Sequence, residues 1–198
     1  MKFSVTGTIW GGGNKTPKRK RRTKGSFATR FTIKRPDGVP FKILFLSKRG
    51  MSRAPMAREV MRDLLKKSSL PVGFRVSCRG ITPAYDQCPI DKRMKEVSQN
   101  QDYSLDGLSR YVMALDLQQA ELILTMDVES EAFLEENMEK VRAVVKSFGH
   151  FLPAGNDPHL PDPFLQRDED YEAHYSKLIT MIEEACQDLF ESIPFMLG

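Results

Sequence analysis

A chain of 198 residues is long enough for one α/β domain with an extension and too short for two large domains. Its 40% hydrophobic and 28% charged residues are typical of a globular protein, and no apolar run approaches the ~20 residues of a membrane helix. Three widely spaced cysteines make a poor disulfide framework, and the amino terminus lacks the apolar stretch of a signal peptide, so we expect a cytoplasmic protein.

The positive charge is concentrated in one short segment. Seven basic residues lie within residues 15–24: Lys15, Lys18, Arg19, Lys20, Arg21, Arg22 and Lys24. Removing these seven from the net charge of +4 leaves −3 for the rest of the chain. Such a segment suits contact with nucleic acid or an acidic protein, and it also matches the loose pattern of a nuclear-import signal. A solvated loop with no partner is the alternative.

Residues 1–40 form a module distinct from the rest. Residues 2–10 and 26–34 each alternate apolar and polar side chains, which favours two strands, and Gly11-Gly12-Gly13 follows the first of them. We interpret the module as a β-hairpin with a cationic loop at its tip, or else as an extended basic arm. Residues 41–198 then form the main domain.

The main domain alternates strands and helices. Strands are predicted at residues 41–46, 74–78, 121–126 and 141–148, and helices at 53–67, 89–98, 112–119, 128–138 and 170–193. This order predicts an α/β fold with a four-stranded parallel sheet and helices on both faces. Ligands of such folds bind at the carboxyl ends of the strands, beside a topological switch point. The segment that follows the first strand is therefore the first candidate site.

That segment has the composition of an oxyanion-binding loop. It runs through Ser47, Lys48, Arg49, Gly50, Met51, Ser52 and Arg53 into the first helix. Main-chain amides at a helix amino terminus and the planar guanidinium of Arg53 are both suited to phosphate oxygens. We predict that these seven residues form a phosphate-binding site.

Four segments resemble one known family, the low-molecular-weight protein tyrosine phosphatases. They are the apolar strand 41–46 with the loop 47–53 and Ala54-Pro55, the strand 122–126 with Asp127, the segment 160–164, and the closing helix around 182–186. The resemblance covers residues 41 to 193 in the family's order. It implies that Ser47 stands at the nucleophile position and Asp162 at the general-acid position, with Tyr85 and Phe164 as walls for an aromatic ring.

The loop departs from the family pattern at four positions. Ser47 replaces the nucleophilic cysteine, Gly50 an asparagine that braces the loop, Ser52 a second cysteine, and Ala54 a serine that supports the thiolate. A serine hydroxyl is a far weaker acid than a thiol, and no neighbouring base is evident to activate it. Four changes along one functional path indicate a degenerate enzyme, whereas an engineered substrate trap would carry only the first.

Three functions are compatible with this sequence. The first is an inactive phosphatase-fold module that binds phosphate or a phosphorylated protein, or serves only as scaffold. The second is a phosphatase whose nucleophile was mutated or is an unusual serine. The third is a nucleic-acid-binding or assembly protein acting through residues 15–24. No cofactor is predicted, His150, His159 and His174 lack metal-ligand spacing, and Cys88 has no cysteine at position 47 with which to form a redox relay.

Overall fold

A computed structural model describes residues 38–70, 72–165 and 170–197. The predicted hairpin or arm and the basic segment at residues 15–24 lie outside the described residues. The strands are β1 (Phe41–Ser47), β2 (Phe74–Gly80), β3 (Leu122–Thr125) and β4 (Val144–Ser147). The helices are α1 (Arg53–Lys66), α2 (Lys92–Gln99), α3 (Ala114–Gln119), α4 (Val128–Glu136) and α5 (Tyr171–Leu197).

The four strands form one parallel sheet in the order β2-β1-β3-β4, which confirms the predicted architecture. The chain passes from β1 to β2 on one side and then returns to place β3 on the other side of β1. The topological switch point therefore lies between the carboxyl ends of β1 and β3, where α/β folds of this kind bind ligands.

Alternate residues of β1 separate two hydrophobic cores. Ile43 and Phe45 pack into the core beneath α1, α2 and α5, whereas Leu44 and Leu46 pack with α3 and α4 on the opposite face. All four side chains are at most 1% exposed, as expected for a central strand covered on both faces. This burial fixes the end of β1, and with it the start of the loop 47–53.

Several elements differ in extent from their predictions, and α2 begins at Lys92 rather than at residue 89. The fourth strand was predicted over 141–148 but covers only Val144–Ser147, because the chain turns into a 3₁₀ helix at Phe148. The last helix was predicted to end before Pro194 but continues to Leu197. Ile193 and Met196 are both buried, so packing of the final turn outweighs the hydrogen bond that the proline removes.

No helix within the three described stretches combines the length and the hydropathy that a membrane crossing requires.

Candidate functional site

The loop 47–53 is anchored at both ends by regular structure. Ser47 is the last residue of β1 and is 2% exposed, and Arg53 is the first residue of α1. Ser52 occupies the N-cap position of α1, but its hydroxyl makes no capping hydrogen bond. The hydroxyl oxygen is buried and has no hydrogen-bond partner among the described residues. A buried polar atom without a partner at a helix amino terminus is a feature of sites that receive a ligand.

The backbone amides of the loop also have unused hydrogen-bonding capacity. The Lys48 amide donates to Asp127 Oδ2 at 2.9 Å, and the Gly50 amide donates to Ser47 Oγ at 3.2 Å. Four further amides have no acceptor within the part of the chain that the structure describes: those of Arg49, Met51, Ser52 and Arg53. Unpaired amides next to the positive end of the α1 dipole can bind an anion.

Asp127 holds Arg53 in place at the carboxyl end of the loop. The Arg53 guanidinium, 5% exposed, lies 2.7 Å from Asp127 Oδ2 and donates to the carbonyl oxygen of Leu160 at 2.9 Å. Asp127 also caps α4, because its Oδ1 accepts the amide of Ser130 at 2.9 Å. One carboxylate therefore connects the loop, the guanidinium and α4.

Asp127 has a larger role here than the sequence indicated, since it was noticed only as part of a family motif. Its position two residues after the end of β3, across the switch point from Ser47, is the signal that identifies it.

Asp162 is paired with Arg49. Arg49 Nη1 lies 2.7 Å from Asp162 Oδ2, and the Phe164 amide donates to Oδ1 at 3.1 Å. Burial raises the pKa of Asp162, but the hydrogen bonds from Arg49 and Phe164 and the charges of Arg53 and Arg49 outweigh it and lower that pKa below its usual range. Asp162 is therefore a carboxylate at neutral pH, whereas a general acid must carry a proton.

Arg49 also contacts the two aromatic side chains assigned as ring walls. Its guanidinium carbon lies 4.6 Å from the centre of the Phe164 ring and 5.6 Å from that of Tyr85. The structure thus brings Tyr85, Phe164 and Asp162 together around the guanidinium of Arg49. From the sequence, Arg49 was predicted only as a phosphate-binding residue. The Lys48 ammonium points elsewhere, forming a 2.6 Å ion pair with Glu129.

The lowered pKa of Asp162 predicts a specific pH dependence of stability. The Arg49–Asp162 pair stabilises the fold fully above the unfolded-state pKa, about 3.9, and its contribution is lost as the pH falls through the lower folded-state value. We expect wild type to unfold at higher urea concentration than Asp162→Asn at about pH 7, and the two curves to converge toward about pH 3. In an Arg49→Ala background the same substitution should have little effect at either pH. A difference that persists unchanged at about pH 3 would contradict the pairing.

Gly50 and Gly80 meet backbone to backbone. Gly50 has a φ of +67°, and a Cβ atom built on it would lie 2.5 Å from the Gly80 amide nitrogen. A Cβ on Gly80 would lie 2.5 Å from the Arg49 carbonyl oxygen. The loop therefore lies directly against the end of β2 and leaves no room for the asparagine that the family carries at position 50.

This close approach predicts that Gly80→Ala destabilises the fold, because rigid backbone must move to admit the methyl group. We expect a loss of about 2 kcal/mol in the free energy of unfolding, measured by urea denaturation. Gly73→Ala is the matched control, since the nearest atom to its Cβ is Pro40 Cβ at an ordinary 3.9 Å. Equal effects of the two substitutions would show that the contact is not restrictive.

Cys78, Cys186 and His159 have no hydrogen bond or ion pair with the loop 47–53 among the described residues. Burial raises the pKa of the Cys78 and Cys186 thiols, which makes both poor nucleophiles. His159 pairs with Glu131 at 2.9 Å. Among the described residues, no group of three or more His, Cys, Asp or Glu side chains is arranged to hold a metal ion.

The sheet order, the loop ending in arginine after β1 and the aspartate facing that loop together define a phosphatase-type α/β fold. The family profile described as low molecular weight phosphotyrosine protein phosphatase matches residues 42–194. The chain belongs to this family.

Relatives and solved structures agree with this assignment. The low molecular weight protein-tyrosine-phosphatase YfkJ of Bacillus subtilis is 26% identical over 153 residues, covering 76% of this chain and 94% of the relative. A protein tyrosine phosphatase from Entamoeba histolytica superposes with a TM-score of 0.69 at 22% identity, covering 78% of this chain and 97% of its own. A Cys-to-Ser variant of the YwlE arginine phosphatase, with a phosphorylated active-site serine, gives a TM-score of 0.62 at 18% identity, covering 78% and 99%. These two solved structures have the same fold as this chain.

Proposed function

We propose that this chain is a catalytically inactive member of its family that binds phosphate or a phosphorylated side chain in the loop 47–53 without hydrolysing it. The observation that carries the proposal is the 2.7 Å pairing of Asp162 with Arg49. This pairing keeps the carboxyl group of Asp162, at the general-acid position, ionised. The same site has a serine where the family has its cysteine nucleophile.

The nucleophile position supports inactivity. Ser47 Oγ accepts a hydrogen bond from the Gly50 amide at 3.2 Å, and no described base accepts its proton. Phosphoryl transfer to this oxygen would form an Oγ–P bond, break the bond to the leaving group and move the Ser47 proton to a base. The leaving group would also need a proton, which an ionised Asp162 does not hold.

The groups that would hold an oxyanion are still present. Arg53 is fixed by Asp127 and Leu160, and four loop amides lack an acceptor among the described residues. The unpartnered Ser52 hydroxyl adds one more donor. These features support binding of an oxyanion even though the groups needed to hydrolyse a phosphate ester are missing from the described part of the chain.

The test measures binding and turnover on the same protein. We expect the full chain to bind inorganic phosphate and vanadate in calorimetry, and to release neither phenol from phenyl phosphate nor inorganic phosphate from phosphoserine. Arg53→Lys is the informative variant, because it keeps a charge beside Asp127 but loses the planar fork, and binding should weaken. Turnover abolished by Arg53→Lys would refute inactivity, and an absence of oxyanion binding by the folded wild-type chain would refute the binding role.

A second candidate is a phosphatase that uses Ser47. One observation favours it: a fold relative, the Cys-to-Ser variant of the YwlE arginine phosphatase, carries a phosphorylated active-site serine. Intact-mass spectrometry after incubation with phenyl phosphate separates the two functions. A phosphate adduct mapped to Ser47, with release of phenol, would replace the first proposal.

The basic segment carries a separate part of the proposal, contact with an acidic protein or nucleic acid through residues 15–24. Counterion release makes binding of basic residues to nucleic acid fall steeply with salt concentration. RNA or DNA affinity that falls in this way and disappears on deletion of residues 11–25 would support nucleic-acid binding. Salt-insensitive binding to a protein alone would count against it.

A further inference from the structure

Arg49 contacts both of the rings that the family resemblance assigns as walls for an aromatic ligand. Its guanidinium contacts both rings assigned as walls, at 4.6 Å for Phe164 and 5.6 Å for Tyr85, and pairs with Asp162 at 2.7 Å. The side chain is 18% exposed, so most of it is enclosed by these neighbours. A guanidinium held by two aromatic faces and a carboxylate is a filled site, with its charge matched and its faces covered.

We propose that Arg49 is a specificity-determining residue that fills the slot between Tyr85 and Phe164, so that the loop accepts non-aromatic phosphates and excludes aryl phosphates. This inference rests on the proposed oxyanion binding and specifies its ligand class. The class comprises inorganic phosphate and phosphorylated aliphatic side chains such as phosphoserine. They share a phosphate group without an aromatic ring.

The exclusion follows from the contacts that an entering ring would break. An aryl group between Phe164 and Tyr85 must displace the guanidinium from both rings, which also separates Arg49 from Asp162. Among the described residues, Asp162 would then keep only the Phe164 amide and Arg53 Nη2, which lies 4.0 Å from its Oδ1, as partners. Because Arg53 would also hold the bound phosphate, the two negative charges would lie near each other and repel. A small phosphate that reaches the loop without entering the slot avoids both penalties.

The test compares ligands across a set of variants of the full chain. Affinities for inorganic phosphate, phosphoserine and phenyl phosphate are measured by calorimetry for wild type, Arg49→Ala, Asp162→Asn and the double variant Arg49→Ala/Asp162→Asn. Arg62→Ala is the control for net charge, because Arg62 is 51% exposed and pairs with Glu59 on the surface of α1. Far-UV circular dichroism and thermal midpoints establish that each variant is folded.

We expect the ratio of phenyl phosphate affinity to inorganic phosphate affinity to rise about tenfold in the double variant, the size of effect expected when cation–π contacts no longer compete with the ring. Arg49→Ala alone should raise the ratio by a similar factor, because the charge of Asp162 acts on the phosphate group that both ligands carry and cancels from the ratio. Arg62→Ala should leave the ratio unchanged. If wild type binds phosphoserine with an affinity close to that for inorganic phosphate, the ligand class includes phosphorylated aliphatic side chains. If wild type binds only inorganic phosphate, the ligand class is restricted to that ion.

Two results would overturn the inference. One is an unchanged ratio in both Arg49 variants. The other is a parallel loss of affinity for all three ligands, which would make Arg49 a direct ligand of the anion. If wild type fails to bind inorganic phosphate while the double variant binds phenyl phosphate, the proposed function and the non-aromatic ligand class are refuted, and only the exclusion of aryl groups by Arg49 is supported. An absence of binding by every variant refutes both.

Discussion

Ser47→Cys alone is expected to hydrolyse phenyl phosphate at least about a hundredfold more slowly than the double variant Ser47→Cys/Arg49→Gly. The thiol restores the nucleophile, but Arg49 still holds Asp162 as a carboxylate through its 2.7 Å contact. General acid catalysis contributes roughly 10²–10⁴-fold to a reaction of this kind. Removing the guanidinium lets the pKa of Asp162 rise, because the burial that raises it is then opposed by fewer partners. Steady-state phenol release measures both variants.

The triple variant with Asp162→Asn added is the control, and it should lose the gain that Arg49→Gly provides. The pH profile gives a second readout. Since protonated Asp162 becomes more abundant only as the pH falls, the activity of Ser47→Cys should peak at lower pH than that of the double variant. Full activity from Ser47→Cys alone would contradict the role of Arg49 and would favour an engineered substrate trap over a degenerate loop.

Asp127→Ala should be the most destabilising single substitution near the site, with a loss of about 3 kcal/mol in the free energy of unfolding. It leaves the buried guanidinium of Arg53 without its 2.7 Å partner, and removing one member of a buried ion pair typically costs about 3–5 kcal/mol. The contact of Arg53 with Leu160 persists and places the loss at the lower end of that range. The substitution also removes the N-cap of α4. Urea denaturation measures the change.

Glu129→Ala is the matched control for this prediction. Glu129 lies two residues further along and pairs with Lys48 at 2.6 Å, but its side chain is 47% exposed and the pair is screened by water. We expect a change of less than about 1 kcal/mol. If Asp127→Ala were equally mild, the carboxylate would not be what holds Arg53 and the loop in place.

The apolar runs at residues 41–46 and 121–126 and the order of strands and helices were sufficient to predict the sheet. The strands β1 and β3 are short apolar runs, and α1 and α5 each have an apolar face, so local patterns carry this information. The loop 47–53 was also identified from local composition at the end of a buried strand. The prediction of the sheet and the prediction of the loop both depend on residues that are close in sequence.

The contacts of Arg49 with Asp162 and the two rings were not predicted from the sequence, because they join residues that are distant in sequence. Arg49 and Asp162 are 113 positions apart, and no periodic pattern links them. Gly50 and Gly80 belong to different segments of the chain, and only the register of β1 with β2 brings them together. For the same reason, the sequence explained glycine at position 50 as a lost brace, whereas the structure leaves no room there for a side chain.

Asp127 helps to fix the shape of the loop without a hydrogen bond to the Ser47 side chain. Its carboxylate reaches the loop through the Lys48 amide and Arg53, and is itself held in place by the start of α4. A change of sulfur to oxygen at position 47 leaves all of these bonds in place. Under the proposed function, the fold can therefore lose its reactive atom in one substitution and still hold a phosphate group, which gives an enzyme a short evolutionary route to a binding protein.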